Sequence, residues 1–275
     1  MTISILLVGH GSRNQGGNDE IQAFQQQWQA QHPDWRIELC YIELADVLLA
    51  EGLRRAAENA TQVVVIPLIL SAAGHVKAEI PEFIETAREQ FPQVQFSYAP
   101  HLGANMEVLK VLQRSLKKAL KPLAMPDPKT TGVILLGRGS SDRVANGELA
   151  KLARWLFEET EHELVDIAFT GITHPRLETA VQRQVRLSMT QIAILPYYLF
   201  TGLLIERIAE QVARLKIQYP HIAFACGNYF GFDEGIFKLL DQRIADALDS
   251  VKPIMLECDG CQFREIALQH DHHAH

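Results

Sequence analysis

Cysteine is scarce. Four cysteines among 275 residues, at uneven spacings, give no disulfide framework to hold a fold together. That scarcity fits a reduced, cytoplasmic setting. Long apolar runs are missing as well. No stretch approaches the roughly 18 residues of a membrane span, so no membrane association is expected. The opening MTISILLVGHGSR lacks both a basic start and a small-residue cleavage site, so it does not read as a signal peptide. Positive charge is in deficit, with 26 Lys and Arg against 33 Asp and Glu and a net charge of −7. This excludes a broad nucleic-acid surface. It also means that any attraction for an anionic ligand must be local. No Walker lysine is present. Gly9-His-Gly11-Ser-Arg-Asn14 starts like a dinucleotide fingerprint but has Asn14 where the third glycine belongs. What is present is ordinary for a globular protein: 47% hydrophobic and 21% charged residues. The length is enough for one large core or two of common size.

The chain contains the same pattern twice. LLVGHGSR and VVVIPLILSAAGHVKAEI in the first half are answered by LLGRGSSD and IAILPYYLFTGLLIERIA in the second. Pro67 and Pro196 lie 129 positions apart, and His10 and Arg138 lie 128 apart. A near-constant offset across two segments marks a tandem duplication. The proline-rich stretch from Lys121 to Gly132 reads as the linker. The expected organisation is therefore 1–122, 132–250, and a Cys/His-rich tail over 251–275.

Each half alternates apolar, strand-length runs with helical periodicity. In the first half, strands are expected at Ile3 to Gly9, Arg36 to Ile42, Val63 to Leu70 and Val94 to Ala99. Helices are expected between them, including one over Val47 to Asn59 capped by Asp46 and one over Val76 to Gln90. The helix that closes this half carries Val108, Leu109, Leu112 and Leu116 on one face. The second half repeats the order. The fold class is thus α/β, with two tandem domains, each a four-stranded, mainly parallel sheet covered by helices on both faces.

Ligands of such sheets bind beyond the carboxyl ends of the strands. That rule selects His10 after strand one, Glu43 after strand two, His75 after strand three and His101 after strand four. Each has a bland reading as an exposed loop residue, and their convergence on one sheet end is what points to chemistry. Two histidines and a carboxylate suit a borderline divalent transition metal. The second copy departs at these places, where the offsets put Arg138, Ile172 and Leu204. One half therefore reads as reactive and the other as supporting.

GHGSR after the first strand, Pro-Leu-x-Leu-x-x-x-Gly-His after the third, and the duplication together resemble the class II tetrapyrrole chelatases, in particular the CbiX/SirB group of sirohydrochlorin chelatases. The resemblance runs from about Ile3 to Leu248 and is to the long, two-half form. It implies tandem chelatase-like domains and insertion of a divalent metal into sirohydrochlorin, with release of two protons, towards cobalamin or sirohaem. His10 and His75 are then the site histidines and Glu43 the site acid. His10, His75 and His101 are candidate metal ligands. Arg13, Lys77 and Arg138 are candidate partners for the substrate's carboxylates. Cobalt is the favoured metal, with Fe2+ and Ni2+ as alternatives. A non-catalytic metal or tetrapyrrole carrier is the competing reading. The expected partners are sirohydrochlorin and the metal ion, in a monomer or homodimer.

The tail departs from the duplicated pattern. Cys258 and Cys261 form a Cys-x-x-Cys pair, and His270, His272, His273 and His275 make up four of the last six residues. Long members of the family can carry a Met-x-Cys-x-x-Cys motif linked to an iron–sulfur cluster. Here Met255 stands one residue further from Cys258 than that motif requires. Two thiolates do not complete a four-cysteine cluster site, so Cys40, Cys226 or a second chain would have to contribute. The histidines suit accessory cobalt or nickel binding.

Overall fold

A computed structural model describes residues 2–248, apart from the side chain of His75. It contains two four-stranded sheets, parallel throughout. The first comprises β1 (Ile3–Gly9), β2 (Arg36–Tyr41), β3 (Gln62–Pro67) and β4 (Gln95–Tyr98), in the order β2-β1-β3-β4. The second comprises β5 (Thr131–Gly137), β6 (Val165–Phe169), β7 (Gln191–Pro196) and β8 (Ala223–Cys226), in the order β6-β5-β7-β8. The expected strands are all present, with ends shifted by up to three residues. β3 stops at Pro67, which lacks the N–H that further pairing needs.

Helices α1 (Gln15–Gln31), α2 (Leu49–Ala57), α3 (Ile80–Gln90) and α4 (Met106–Leu120) belong to the first repeat. The second supplies α5 (Arg143–Glu158), α6 (Leu177–Arg186), α7 (Leu203–Gln218) and α8 (Glu234–Leu248). Strand side chains alternate between faces. Leu6, Val8, Val63 and Val65 share one cluster with Leu49 and Leu53 of α2 and Ile80 and Ile84 of α3. In the second sheet Ile134, Leu136, Ile192 and Ile194 do the same with Leu177 and Val181 of α6 and Ile208 and Val212 of α7.

Two helix starts differ from expectation. Asp46 does not cap α2. Tyr41 donates to the Val47 carbonyl and Tyr41 pairs with Leu48, so a bent loop closed back on β2 occupies these residues and α2 begins only at Leu49. The helix expected from Val76 begins instead as a π-helical turn, His75–Glu79, before α3.

Packing divides the chain differently from the repeat. Among the described residues, one compact unit holds the chain up to Gly103 together with Phe237 to Leu248; the other spans Ala104–Ile236. The boundary suggested by the linker marks the repeat, because α4 packs on β7 and β8 and against α5. The same exchange brings α8 onto α1. Phe237 stacks on Phe24 with ring centroids 4.3 Å apart, and Asp241 accepts from the Trp28 indole N–H at 2.8 Å. His32 Nε2 lies 2.8 Å from the same Asp241 oxygen, while the His32 ring stacks on Trp35 at 3.8 Å. Trp28 is completely buried. Asp241→Ala leaves that indole donor without its acceptor and is expected to destabilise this unit by about 1–3 kcal/mol. Urea unfolding followed by tryptophan fluorescence measures the loss, and an unchanged midpoint would refute it.

Candidate metal-insertion site

The order β2-β1-β3-β4 reverses direction between β1 and β3, and open parallel sheets bind ligands at that point. His10 leaves β1 there, and His75 opens the π-helical turn after β3. π-Turns inside helices recur at functional sites. This one is braced by the Tyr98 hydroxyl, which donates to the Val76 carbonyl at 2.9 Å.

The loop carrying His10 is fixed by a clamp. Ser12 N donates to Asn18 Oδ1 at 2.9 Å, Asn18 Nδ2 returns a bond to the Ser12 carbonyl at 2.8 Å, and Asn14 N donates to Ser12 Oγ at 3.0 Å. Asn18 is buried and Tyr41 donates to its carbonyl. Burial raises the Tyr41 phenol above its ordinary pKa, as do the neighbouring Asp19 and Cys40, so the ring stays a neutral donor. β2 is tied to the same loop through Ile42 N to Gly9 O at 3.0 Å and Glu43 N to His10 O at 3.1 Å. Gly11 makes this approach possible. Its φ is +86°, and a Cβ there would stand 1.7 Å from the Glu43 carbonyl oxygen.

The result is a histidine–carboxylate pair. His10 Nδ1 lies 3.8 Å from Glu43 Oε1, with side chains 32% and 45% exposed. That separation is too long for a hydrogen bond and short enough for charge to be felt. His10 Nδ1 also lies 3.2 Å from the Gly11 carbonyl. A carbonyl only accepts, so Nδ1 carries the proton in this contact. Among the described residues no three His, Cys, Asp or Glu side chains form a metal cage.

The other expected residues are placed as follows. His101 is half-buried on the loop after β4, where Leu102 N and Gly103 N donate to the carbonyls of Ile69 and Leu70. Arg13 is exposed and Lys77 is half-buried in the π-helical turn. Arg138 occupies the position equivalent to His10, after β5. The tail residues Cys258, Cys261, His270, His272, His273 and His275 lie outside the described residues. Cys40 is sealed in the core, and burial raises its thiol far above its ordinary pKa, so it does not suit a cluster.

The loop bonds correct one pairing between the copies. Gly171 N donates to Arg138 O as Glu43 N does to His10 O, so Gly171 stands opposite Glu43. Ile172, at φ 62°, then matches Leu44 at φ 64°. A constant offset of 129 hides this because the β2 loop follows the 128 offset of β1. Leu204 does stand opposite His75, since Ile205 N bonds Gly202 O as Val76 N bonds Ala73 O. Sequence reasoning missed Asn18 and Tyr98 as positioning residues. The signal for Asn18 was its repetition as Asn146, which clamps Ser140 with bonds of 2.9 and 2.8 Å.

The sequence model of the CbiX family matches residues 4–119 and 132–247. A sirohydrochlorin cobaltochelatase of Priestia megaterium is 38% identical over 274 residues, covering 98% of this chain and 88% of its own. A sirohydrochlorin ferrochelatase of Priestia megaterium is 29% identical over 248 residues, covering 90% and 91%. Among solved structures, SirB from Bacillus subtilis with Fe3+ superimposes with a TM-score of 0.79 at 29% identity, covering 91% of this chain and 98% of that one.

Proposed function

Since the chain belongs to the CbiX family, matched in both halves, we propose that it is a sirohydrochlorin chelatase that inserts a divalent metal, cobalt in preference to iron, in cobalamin or sirohaem biosynthesis. The observation that carries the reading is the His10–Glu43 pair at the switch point of the first sheet, close enough for the carboxylate to stabilise a protonated imidazole. The preference for cobalt rests on the relatives, one a cobaltochelatase at 38% identity and one a ferrochelatase at 29%.

Insertion exchanges two pyrrole protons for one divalent ion. His10 accepts a proton or holds the incoming metal through Nε2, while the Gly11 carbonyl orients the ring through Nδ1. Glu43 stabilises the imidazolium and passes protons to solvent, to which it is half-open. His75, opening the π-helical turn, is the second ligand or base, with His101 as a further metal ligand. Arg13 and Lys77 meet the substrate's carboxylates. We place the reaction in the cytoplasm, in accord with the absence of any helix long and apolar enough to cross a membrane among the described residues. An absorbance time course with sirohydrochlorin under anaerobic conditions tests the function with Co2+, Fe2+ and Ni2+ in turn. Insertion above the protein-free rate, fastest with Co2+, is expected. Binding without acceleration would instead identify a carrier.

A further inference from the structure

The second sheet also reverses its strand order, between β5 and β7. A copy that had simply lost its function could fill this end with apolar side chains at no cost in polar desolvation. The substitutions run the other way. By the loop bonds that align the halves, Ile42 is answered by Thr170, Leu48 by Arg176 and Ile69 by Tyr198. His10 is answered by Arg138, Glu43 by Gly171 and Asp46 by His174. The carboxylates of Glu43 and Asp46 are gone; guanidinium groups, hydroxyls and the exposed imidazole of His174 have come in.

These residues are neighbours. Tyr198 and Thr170 hydroxyls are 2.7 Å apart, and Thr170 also reaches the Gly137 carbonyl at 3.4 Å. Burial pushes the Tyr198 phenol up to about 12, opposed by the Thr170 bond and by the charge of Arg138, so this wall adds no negative charge at neutral pH. A Cβ on Gly171 would stand 3.6 Å from the Arg138 carbonyl oxygen and 3.9 Å from Arg176 Nη1. Arg176 Nη1 is buried and makes no hydrogen bond. A buried guanidinium N–H without an acceptor is costly to maintain, and an anionic ligand is what would satisfy it. Beside it Ile172 is 58% exposed at φ 62°, a strained conformation for a β-branched residue of the kind that clusters at ligand sites. Leu203, at the start of α7, is 49% exposed. Two arginines beside an exposed isoleucine match an apolar ligand that carries carboxylates.

We propose that the strand ends of β5, β6 and β7 form a second binding site, in which Arg138 and Arg176 receive carboxylates of the tetrapyrrole. The identity of that ligand rests on the chelatase reading; the carboxylate chemistry does not. Calorimetric titration of the full chain with citrate, a simple tricarboxylate, tests the chemistry alone. Arg176→Met keeps the apolar stem and removes the charge, and it is expected to weaken citrate about tenfold or more. Gly171→Glu leaves both arginines in place, and Gly171 has room for a side chain. It restores the acid of the first half beside them and is expected to abolish citrate binding by occupying the site. In metal insertion, both variants should raise KM for sirohydrochlorin, Gly171→Glu the more, and leave kcat within about twofold. Insertion by the wild type with citrate affinity and KM unaltered in both variants overturns the second site and leaves the chelatase reading standing. Loss of citrate binding in the variants of a wild-type chain that inserts no metal supports the site and overturns the chelatase reading.

Discussion

His10→Ala is expected to slow metal insertion by about 10²–10⁴-fold, the range that a positioned general base contributes, with unfolding unchanged. Two protons must leave the pyrrole nitrogens as one divalent ion enters, and in the proposed mechanism His10 accepts one at a time and releases it to solvent by way of Glu43. Its ring is oriented through Nδ1 by the Gly11 carbonyl, and Glu43 lies 3.8 Å away to stabilise the imidazolium. Alanine removes the proposed proton acceptor and metal ligand together. The loss should fall on kcat more than on KM, because the proton is transferred in the insertion step. His10 is one-third exposed, so the stability of the unit should change little. Single-turnover absorbance under anaerobic conditions measures the rate, and urea unfolding controls for the fold. His75→Ala should show the same loss. Glu43→Gln should lose less, since the amide keeps the shape and removes only the charge that holds a proton on His10. Full activity in either histidine variant would sink the assignment.

Much of this was legible in the chain. Both sheets follow from apolar runs at strand length, and the rule that ligands sit beyond strand ends selects His10 and Glu43 before any coordinates. Three things were not legible. The exchange of α4 and α8 between compact units leaves no trace in periodicity, because an apolar helix face does not say which sheet it will cover. The π-helical turn at His75 depends on a hydrogen bond from Tyr98, 22 residues further on, to the Val76 carbonyl. The one-residue error that paired Glu43 with Ile172 arose because the two copies keep different offsets in different loops. Only backbone bonds such as Gly171 N to Arg138 O reveal it. The correction matters chemically, since glycine opposite Glu43 opens space beside two arginines, where isoleucine would have implied a filled wall.

Gly11→Ala and Gly139→Ala together separate the two ends of the duplicated chain. Both glycines have φ +86°. A Cβ on Gly11 would stand 1.7 Å from the Glu43 carbonyl oxygen, and one on Gly139 would stand 2.3 Å from the Gly171 carbonyl oxygen and 3.2 Å from Thr173 Cγ2. Neither clash is with a flexible side chain, so the backbone must move. Each substitution also places an L side chain in the left-handed region. Together these effects should destabilise each unit by about 2–4 kcal/mol. The consequences for chemistry differ. In Gly11→Ala the displaced backbone is that of Glu43, and the Gly11 carbonyl that orients His10 moves with it. Insertion should fall by about 10²-fold or more even where the protein remains folded, as expected when a catalytic group is misplaced by about 1 Å. In Gly139→Ala the displaced segment carries Gly171 and Arg138, so KM should rise and kcat should persist. Circular dichroism melts with steady-state kinetics at several substrate concentrations distinguish the two. Equal losses of kcat in both variants would mean that the second copy takes part in the insertion step itself, and the division into a reacting half and a carboxylate-binding half would fall.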